Sequence, residues 1–215
     1  PPPCFCLLLG RPPFSTLFPS TSLCRSVIVA TGNPGKLEEM RTYLADLGWQ
    51  LALKPPEIEV EETGTTFLEN AQLKASEVAK ATGQWAIADD SGLMVDALDG
   101  APGLYTSRYA NTDAERIERL LRELADTNNR AAQFVCAIAL AQPDGTIALE
   151  TEGICQGEIA IAPRGNRGFG YDPIFYVPTA QQTFAEMSQA NKDQLSHRGI
   201  AFSQLMPELR SLTLT

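Results

Sequence analysis

Short apolar runs of strand length alternate with segments of helical periodicity in the first half of this chain. Residues 27–30 form a β-branched and small apolar run, which is typical of a buried strand. Turn residues follow at 31–35. The next segment, 36–47, carries apolar residues at helical spacing and ends before a glycine. This order predicts a strand, a tight turn and a helix.

The rest of the chain extends this pattern. We predict strands over 51–53, 85–88, 134–140, 146–150, 154–162 and 172–177, and helices over 67–81, 113–125 and 196–209. Thr65 or Thr66 is the expected cap of the second helix, and Pro143-Asp144-Gly145 is a hairpin signal. Helices and strands alternate early and strands cluster later, which predicts an α/β or α+β domain around a mixed sheet.

Residues 1–25 differ in composition from the rest of the chain. They contain no acidic residue, two arginines, six prolines and three of the five cysteines. Serine, threonine and arginine without acids are also typical of a transit peptide, although no amphipathic period is visible. We expect 1–25 to be a disordered or spurious extension, with a targeting segment as the alternative. Residues 26–215 are then expected to form one folded domain.

The net charge of −9 comes from 26 acidic and 17 basic residues. Such a chain is a poor binder of DNA or anionic membranes, because that binding depends on lysine and arginine, so we expect neither partner. One histidine and scattered cysteines nearly exclude a structural zinc site, so a metal would be held by carboxylates, which suit magnesium, manganese or calcium. Cys136 and Cys155 lie in apolar runs and are expected to be buried free thiols in a reducing compartment, the cytoplasm.

The segment TGNPGK lies between the first predicted strand and helix. It consists of Thr31, Gly32, Asn33, Pro34, Gly35 and Lys36. Glycine backbone can approach a ligand closely, a helix N-terminus offers unpaired N–H groups, and the lysine adds a full positive charge. It is not a Walker A motif, because Ala30 stands at the first glycine position and Leu37 follows the lysine. The segment is a candidate phosphate-binding loop, with an ordinary strand-to-helix turn as the alternative.

Two groups of carboxylates are candidates for metal or acid–base chemistry. The alternation over 57–61 fits an edge strand with its acids outward, and Glu62 breaks that alternation beside a turn. Asp89 and Asp90 follow a predicted strand, at the end where α/β proteins place ligands. Because neighbouring strand side chains face opposite sides, we expect one of them to point into a site and the other to hold loop backbone. A solvated acidic face and a plain Asx turn are the alternatives.

Two later segments carry aromatic, acidic and cationic groups. In the run 168–173, Phe169 and Tyr171 can pack on a base and Asp172 can accept hydrogen bonds from ring N–H groups. A further group consists of Lys192, Ser196, His197 and Arg198. These three potential cations and one hydroxyl suit an anion or a carbonyl oxygen. The alternatives are a turn with two core aromatics and a histidine at a helix cap.

Taken together, these segments resemble the non-canonical purine nucleoside triphosphate pyrophosphatases, also called inosine triphosphate pyrophosphatases, in their bacterial form. The segments that carry the resemblance are TGNPGK (31–36), ETGTTFLENAQLKA (62–75), ADDSGLMVDALDGAPGLYTSRYA (88–110), GFGYDPIF (168–175) and SHRG (196–199), with Lys192 just upstream. They occur in family order over 27–209. The resemblance implies an α/β fold with an elongated mixed central sheet, flanking helices, two lobes around a substrate cleft, and a homodimer.

The resemblance also implies Mg²⁺-dependent hydrolysis of ITP, dITP and XTP to the monophosphate and pyrophosphate, which cleanses the nucleotide pool. By family roles, residues 31–36 hold the triphosphate, Glu62 and Asp90 bind the metal, and Asp90 is the general base that activates water. Whether Asp89 also binds the metal stays open. The implied substrate contacts are Ser91, Phe169, Gly170, Tyr171, Asp172, Lys192, His197 and Arg198.

Two other functions remain as alternatives at this level. One is a related nucleotide pyrophosphatase that acts on modified pyrimidines, as in the Maf-like family, against which the SHR and FGYD segments argue. The other is a nucleotide-binding module without catalysis, against which the joint presence of Lys36, Glu62 and Asp90 argues.

Overall fold

A seven-stranded mixed sheet runs through the chain in the order β2-β1-β3-β4-β5-β6-β7. The computed structural model describes residues 26–212, so the prediction for 1–25 lies outside the described residues. The strands are β1 (Ser26–Val29), β2 (Gln50–Leu53), β3 (Trp85–Val95), β4 (Ala131–Ala141), β5 (Ile147–Ile159), β6 (Phe175–Val177) and β7 (Gln182–Thr183). β1 pairs in parallel with β2 and β3, and the remaining neighbours pair antiparallel. The predicted mixed sheet is confirmed.

Helices flank this sheet. They are α1 (Pro34–Leu44), α2 (Phe67–Thr82), α3 (Asp113–Glu123), α4 (Gln189–Leu195) and α5 (His197–Ser211), with 3₁₀ turns at Ala45–Leu47, Asp96–Leu98 and Gly103–Arg108. Side-chain oxygens of Asn33, Thr66 and Thr112 accept backbone N–H groups at the starts of α1, α2 and α3, which explains where these helices begin. None of the helices within 26–212 is both long enough and apolar enough to cross a membrane.

Alternate side chains of β1 and β3 bury opposite faces of the sheet. Val29 and Ile87 pack with α1 and α5 on one face, and Ile28 and Ala86 pack with α2 on the other. A separate core around Phe175 fills the far half of the sheet. The molecule therefore has two lobes that share the long strands β3, β4 and β5.

The segment Asp89-Asp90-Ser91-Gly92 lies inside β3, so its prediction as a strand end is wrong. β4 pairs with β3 continuously from Ala86 to Val95, and this antiparallel ladder sustains the strand through residues that favour turns locally. On the other side, β1 pairs with β3 only as far as Ile87. Beyond that point one edge of β3 is uncovered, and a cleft opens there.

Three other local predictions need correction. Residues 57–61 are not a strand, because Pro55 and Pro56 lack N–H groups and Ile58 and Val60 instead pack toward the α2 core. The predicted strand 172–177 shortens to β6, since a turn occupies its first residues. The helix α4 lies in a region where none was predicted.

Candidate active site

A cavity of about 820 Å³ lies at the point where β1 ends beside β3. The predicted site residues that line it are Thr31, Gly32, Asn33, Gly35, Lys36, Glu62, Asp90, Ser91, Phe169, Gly170, Tyr171, Asp172, Lys192, His197 and Arg198. Pro34, the first residue of α1, is not among them. The fold therefore brings to one cavity residues that are up to 167 positions apart in sequence.

The loop before α1 is shaped by its own polar side chains. Asn33 Oδ1 accepts a hydrogen bond from the Gly35 N–H at 2.8 Å, and Thr31 Oγ1 accepts one from the Asn33 N–H at 3.1 Å. Lys36 Nζ lies 3.0 Å from Asp89 Oδ2 on the adjacent strand. Thr31 and Asn33 thus fix the loop conformation, and Lys36 is anchored to the cavity wall.

Asp89 is buried on the α1 and α5 face of the sheet. Its Oδ2 lies 3.0 Å from Lys36 Nζ and accepts hydrogen bonds from Arg198 Nη2 at 2.9 Å and Ser91 Oγ at 3.4 Å. Its buried Oδ1 has no hydrogen-bond partner among the described residues. Burial alone raises the pKa of this carboxyl, but Lys36 and Arg198 outweigh it and hold the pKa well below its usual range. The prediction that Asp89 holds loop backbone is wrong, because its partners are side chains, two of them cationic.

Asp90 faces the opposite side, toward α2, as strand alternation predicts. Its Oδ1 lies 2.7 Å from Lys74 Nζ, and its Oδ2 accepts from Asn70 Nδ2 at 3.3 Å. The same Lys74 amine lies 3.2 Å from Glu62 Oε1. Burial raises the pKa of Asp90 above its ordinary value although Lys74 acts against this. Of the two adjacent aspartates, only Asp90 lines the cavity, which confirms that one of the pair points into it.

Glu62 also receives a second cation. Arg108 Nη2 lies 2.7 Å from Glu62 Oε2 at the rim of the cavity. Both carboxylate oxygens of Glu62 are therefore occupied by basic side chains, one buried and one exposed.

The far end of the cavity contains a connected set of charges. Lys192 Nζ donates to Asp172 Oδ2 at 2.7 Å and lies 3.5 Å from Glu39 Oε1. Arg198 pairs with Glu39 and Asp89, and its Nη2 also donates to Ser91 Oγ at 3.2 Å. Ion pairs thus connect Asp172 at this end with Lys36 at the phosphate loop. Burial raises the pKa of Asp172, with Lys192 acting in the opposite direction.

His197 is not a cation in this structure. Its ring stacks on Phe134 with centroids 4.6 Å apart and is buried. Burial, reinforced by Arg198 and Lys192, lowers its pKa well below the usual value, so the ring is neutral at pH 7. The count of three potential cations near residue 197 therefore reduces to two.

The two aromatic residues of the glycine-rich loop differ in exposure. Phe169 is 41% exposed, and Lys192 Nζ lies 5.0 Å from its ring centroid. Tyr171 is buried and donates its hydroxyl to the Thr106 carbonyl at 3.2 Å. Phe169 has a free ring surface for stacking, whereas Tyr171 fastens the loop to the neighbouring 3₁₀ turn.

Four polar residues of the site had no role assigned from the sequence: Glu39, Asn70, Lys74 and Arg108. Asn70 and Lys74 are four residues apart on α2, so they lie on one helix face beside buried alanines. Glu39 lies three residues after Lys36 on α1. Asn70 and Lys74 could have been found from the sequence, because they are polar residues on the otherwise apolar face of a predicted helix.

The carboxylates Glu62 and Asp90 fit a divalent cation that also binds substrate. They converge on the single Lys74 amine, so their oxygens lie close to a common point. Within 26–212 no group of three or more Asp, Glu, His or Cys is arranged to hold a metal by itself. Mg²⁺ is commonly bound by one or two carboxylates together with substrate phosphates, which matches this donor set.

Comparison with known proteins reveals close relatives. The profile of the Ham1 family matches residues 27–208. A protein of Synechocystis sp. named dITP/XTP pyrophosphatase is 65% identical over 181 residues, covering 84% of this chain and 93% of the relative. A protein of Nostoc sp. with the same name is 63% identical over 190 residues, covering 88% and 97%.

Solved structures show the same similarity. A HAM1 protein from Coxiella burnetii aligns with a TM-score of 0.80 and 46% identity, covering 87% of this chain and 99% of that one. The Ham1 protein of Staphylococcus aureus aligns with a TM-score of 0.78 and 43% identity, covering 86% and 98%. The two-lobed mixed sheet of this chain is therefore similar to experimentally determined folds.

Proposed function

This chain belongs to the Ham1 family, and from that premise we propose that it hydrolyses non-canonical purine nucleoside triphosphates, namely ITP, dITP and XTP, to the monophosphate and pyrophosphate. The observation that carries the proposal is the meeting of Glu62 and Asp90 on Lys74, in the cavity that also contains the phosphate loop. The names of the relatives from Synechocystis and Nostoc support this substrate class.

We assign Mg²⁺ to Glu62 and Asp90, with substrate phosphate oxygens completing its ligands. When bound, the metal neutralises phosphate charge and lowers the pKa of bound water. Both carboxylates are paired with basic side chains, Lys74 for both and Arg108 for Glu62. These cations hold the two acidic side chains close together.

Asp90 acts as the general base in this proposal. A carboxylate needs only to accept a proton from a water held beside it, and burial makes Asp90 more basic than an exposed aspartate. Asn70 and Lys74 hold its two oxygens and thereby orient the side chain. No covalent nucleophile is required.

The phosphate end is bound by the loop and its lysine. A triphosphate carries about four negative charges, so fixed cations are required before an oxygen nucleophile can approach. Lys36 supplies one positive charge, and the backbone N–H groups at the start of α1 add the positive end of the helix dipole. The free end of Arg108 at the rim supplies another cation.

The far end of the cavity, which contains Lys192 and Arg198, binds the base in this proposal. This base end distinguishes purines by the carbonyl group that they carry. Hypoxanthine and xanthine carry an oxygen where adenine has an amino group. Lys192 and Arg198 are buried donors, and Arg198 Nε has no partner among the described residues. Adenine would leave a donor such as Arg198 Nε without a partner, and an unpaired buried polar group discriminates by a factor of about 10⁴. Phe169 offers a ring surface for stacking on the base.

We further propose that the protein is a cytoplasmic homodimer. The two cysteines in the described chain, Cys136 and Cys155, are free and buried, which supports a reducing compartment. Light scattering of the purified protein tests the dimer.

The activity is tested by pyrophosphate release from ITP, dITP and XTP, with ATP, GTP, dTTP and UTP as comparisons and with Mg²⁺ or EDTA. We expect turnover of ITP, dITP and XTP only with Mg²⁺, and no turnover of ATP, dTTP or UTP, while GTP measures whether the site rejects a purine that carries the same carbonyl group. Absence of ITP turnover with good dTTP or UTP turnover would point instead to a pyrimidine-directed pyrophosphatase.

The Asp90→Asn variant tests the role of Asp90 as the general base most directly. We expect kcat to fall by a factor of about 10² to 10⁴, because amide oxygen cannot take the proton. Asp126→Asn is the matched control, since Asp126 is exposed and does not line the cavity. Unchanged ITP turnover in Asp90→Asn would show that the base is another group.

A further inference from the structure

Lys54 is a cavity cation to which neither the sequence motifs nor the family roles assign a task. It follows β2 directly, and its backbone N–H donates to the Val29 carbonyl at 3.0 Å, so it lies beside the start of the phosphate loop. β1 and β2 are parallel, and their carboxyl ends meet at this edge of the sheet. Ligands of α/β sheets bind at such edges.

The charge of Lys54 is not neutralised by a carboxylate. Seven lysine or arginine side chains line the cavity. Six of them are in ion pairs, namely Lys36, Lys74, Arg108, Arg116, Lys192 and Arg198. Lys54 Nζ instead donates to the Ile58 carbonyl at 2.5 Å, and an ammonium group has two further N–H donors. Among the described residues it is the one lysine or arginine of the cavity that has no carboxylate within ion-pair distance.

The location of Lys54 selects which part of a nucleotide it can reach. The segment after it carries Ile58 and Val60, which pack on the α2 face of the sheet. Asp90, Lys74 and Glu62, which include the proposed metal ligands, lie on that same side. Because Lys54 is also held to Val29, just before the phosphate loop, we place it at the phosphate end of the cavity. Glu59 lines the same wall but is outside ion-pair distance of Lys54.

We propose that Lys54 binds the terminal phosphate of the substrate and the pyrophosphate that leaves, and so favours triphosphates over shorter nucleotides. This inference rests on the proposed function, since it takes the phosphate end of the cavity from it. The hydrogen bond to the Ile58 carbonyl keeps the amine beside the phosphate loop. Lys54 adds an attraction for the nucleotide that grows with the number of its phosphates. Lys192 and Arg198 contact the purine base instead.

Lys54→Gln, Lys54→Arg and Lys80→Gln test this assignment. Lys80 is an exposed lysine of α2 that does not line the cavity, so Lys80→Gln is the matched control. Calorimetric titration with pyrophosphate and with IMP, both in EDTA, measures binding without turnover. We expect Lys54→Gln to weaken pyrophosphate about tenfold and leave IMP unchanged, because a charged hydrogen bond to phosphate is lost. Lys54→Arg should restore most of the affinity.

Kinetics give an independent measurement. In Lys54→Gln the KM for ITP should rise about tenfold, with a smaller change in kcat. The reason is that the contact between Lys54 and the terminal phosphate is already formed when the substrate binds. Unchanged pyrophosphate binding, or equal weakening of pyrophosphate and IMP, overturns the assignment, the second because it indicates a displaced loop. If the unmodified protein does not hydrolyse ITP, the proposed function fails, while the binding contrast between pyrophosphate and IMP still decides the role of Lys54.

Discussion

Asp89 and Asp90 are adjacent in the chain and have different tasks because they lie on a strand. Asp89 turns toward α1 and α5, where Lys36 and Arg198 share one of its oxygens. Asp90 turns toward α2, where Lys74 and Asn70 hold it beside the cavity. Asp89 thus links Lys36 at the phosphate end with Arg198 at the base end. Asp90 faces the cavity and is available for chemistry.

His197 leads to a prediction about stability and pH. Its pKa in the folded protein is far below the value of about 6.5 expected when unfolded. Below pH 6.5 the unfolded chain takes up a proton that the folded protein does not, so the free energy of unfolding falls with falling pH. The slope from this group is at most about 1.4 kcal/mol per pH unit.

Urea unfolding of the unmodified protein and of His197→Asn at pH 7.5, 6.5 and 5.5 checks this expectation. The variant should lose less stability between pH 6.5 and 5.5, whatever its absolute stability. Asp90 and Asp172 have raised pKa values and act in the opposite direction, but they are present in both proteins. Parallel pH profiles of the two proteins would contradict a neutral buried His197.

At the scale of elements, the approach of α5 to β5 decides where His197 and Arg198 lie. Gly153 of β5 has no space for a side chain, since an added Cβ would overlap the His197 carbonyl oxygen and the Ala201 backbone nitrogen. The glycine therefore permits direct contact of helix backbone and strand, and this contact fixes the start of α5.

Gly153→Ala is expected to destabilise the protein by about 3 kcal/mol through overpacking and to raise the KM for ITP, because the start of α5 is displaced. Gly48→Ala is the control: Gly48 has a φ of +64° but no atom within 4 Å of an added Cβ. It should cost only about 1 kcal/mol from its backbone conformation and leave KM unchanged. Urea unfolding and ITP kinetics measure both effects, and equal effects of the two substitutions would rule out a tight contact.

At the scale of the whole molecule, the two lobes share β3, β4 and β5. These strands contain 11, 11 and 13 residues, and their ladders run through both hydrophobic cores. A lobe cannot unfold without breaking the backbone hydrogen bonds of strands that extend into the other. We therefore expect the domain to unfold as one cooperative unit.

Trp49 and Trp85 make this expectation measurable. Both are buried in the core beneath α1 and α5, so tryptophan fluorescence reports on one lobe. Circular dichroism of the backbone reports on both. At one fixed protein concentration the two urea transitions should coincide, and separate midpoints would show that the lobes unfold independently.

Much of the fold could be predicted from local patterns. The helical spacing after Lys36, the cap at Thr66 and the hairpin at Pro143-Asp144-Gly145 all express short-range rules, and the structure confirms each. The failure that matters most for the site occurred where distant pairing overrides local preference. β3 runs through Asp89 to Gly92 because β4 supplies its hydrogen bonds, and no local signal within that turn-like segment indicates this.

The sequence by itself determined the order of the elements, the phosphate loop, the alternation that separates Asp89 from Asp90, and the motif order shared with a known family. Only the tertiary structure decided which charges pair: Arg198 with Asp89, and Lys74 with both Glu62 and Asp90. It also showed that Lys54 has no carboxylate partner among residues 26–212. The physical reason is that side-chain direction follows from a short period along the chain, whereas an ion pair such as Arg198 with Asp89 joins residues 109 positions apart and forms only after the elements pack.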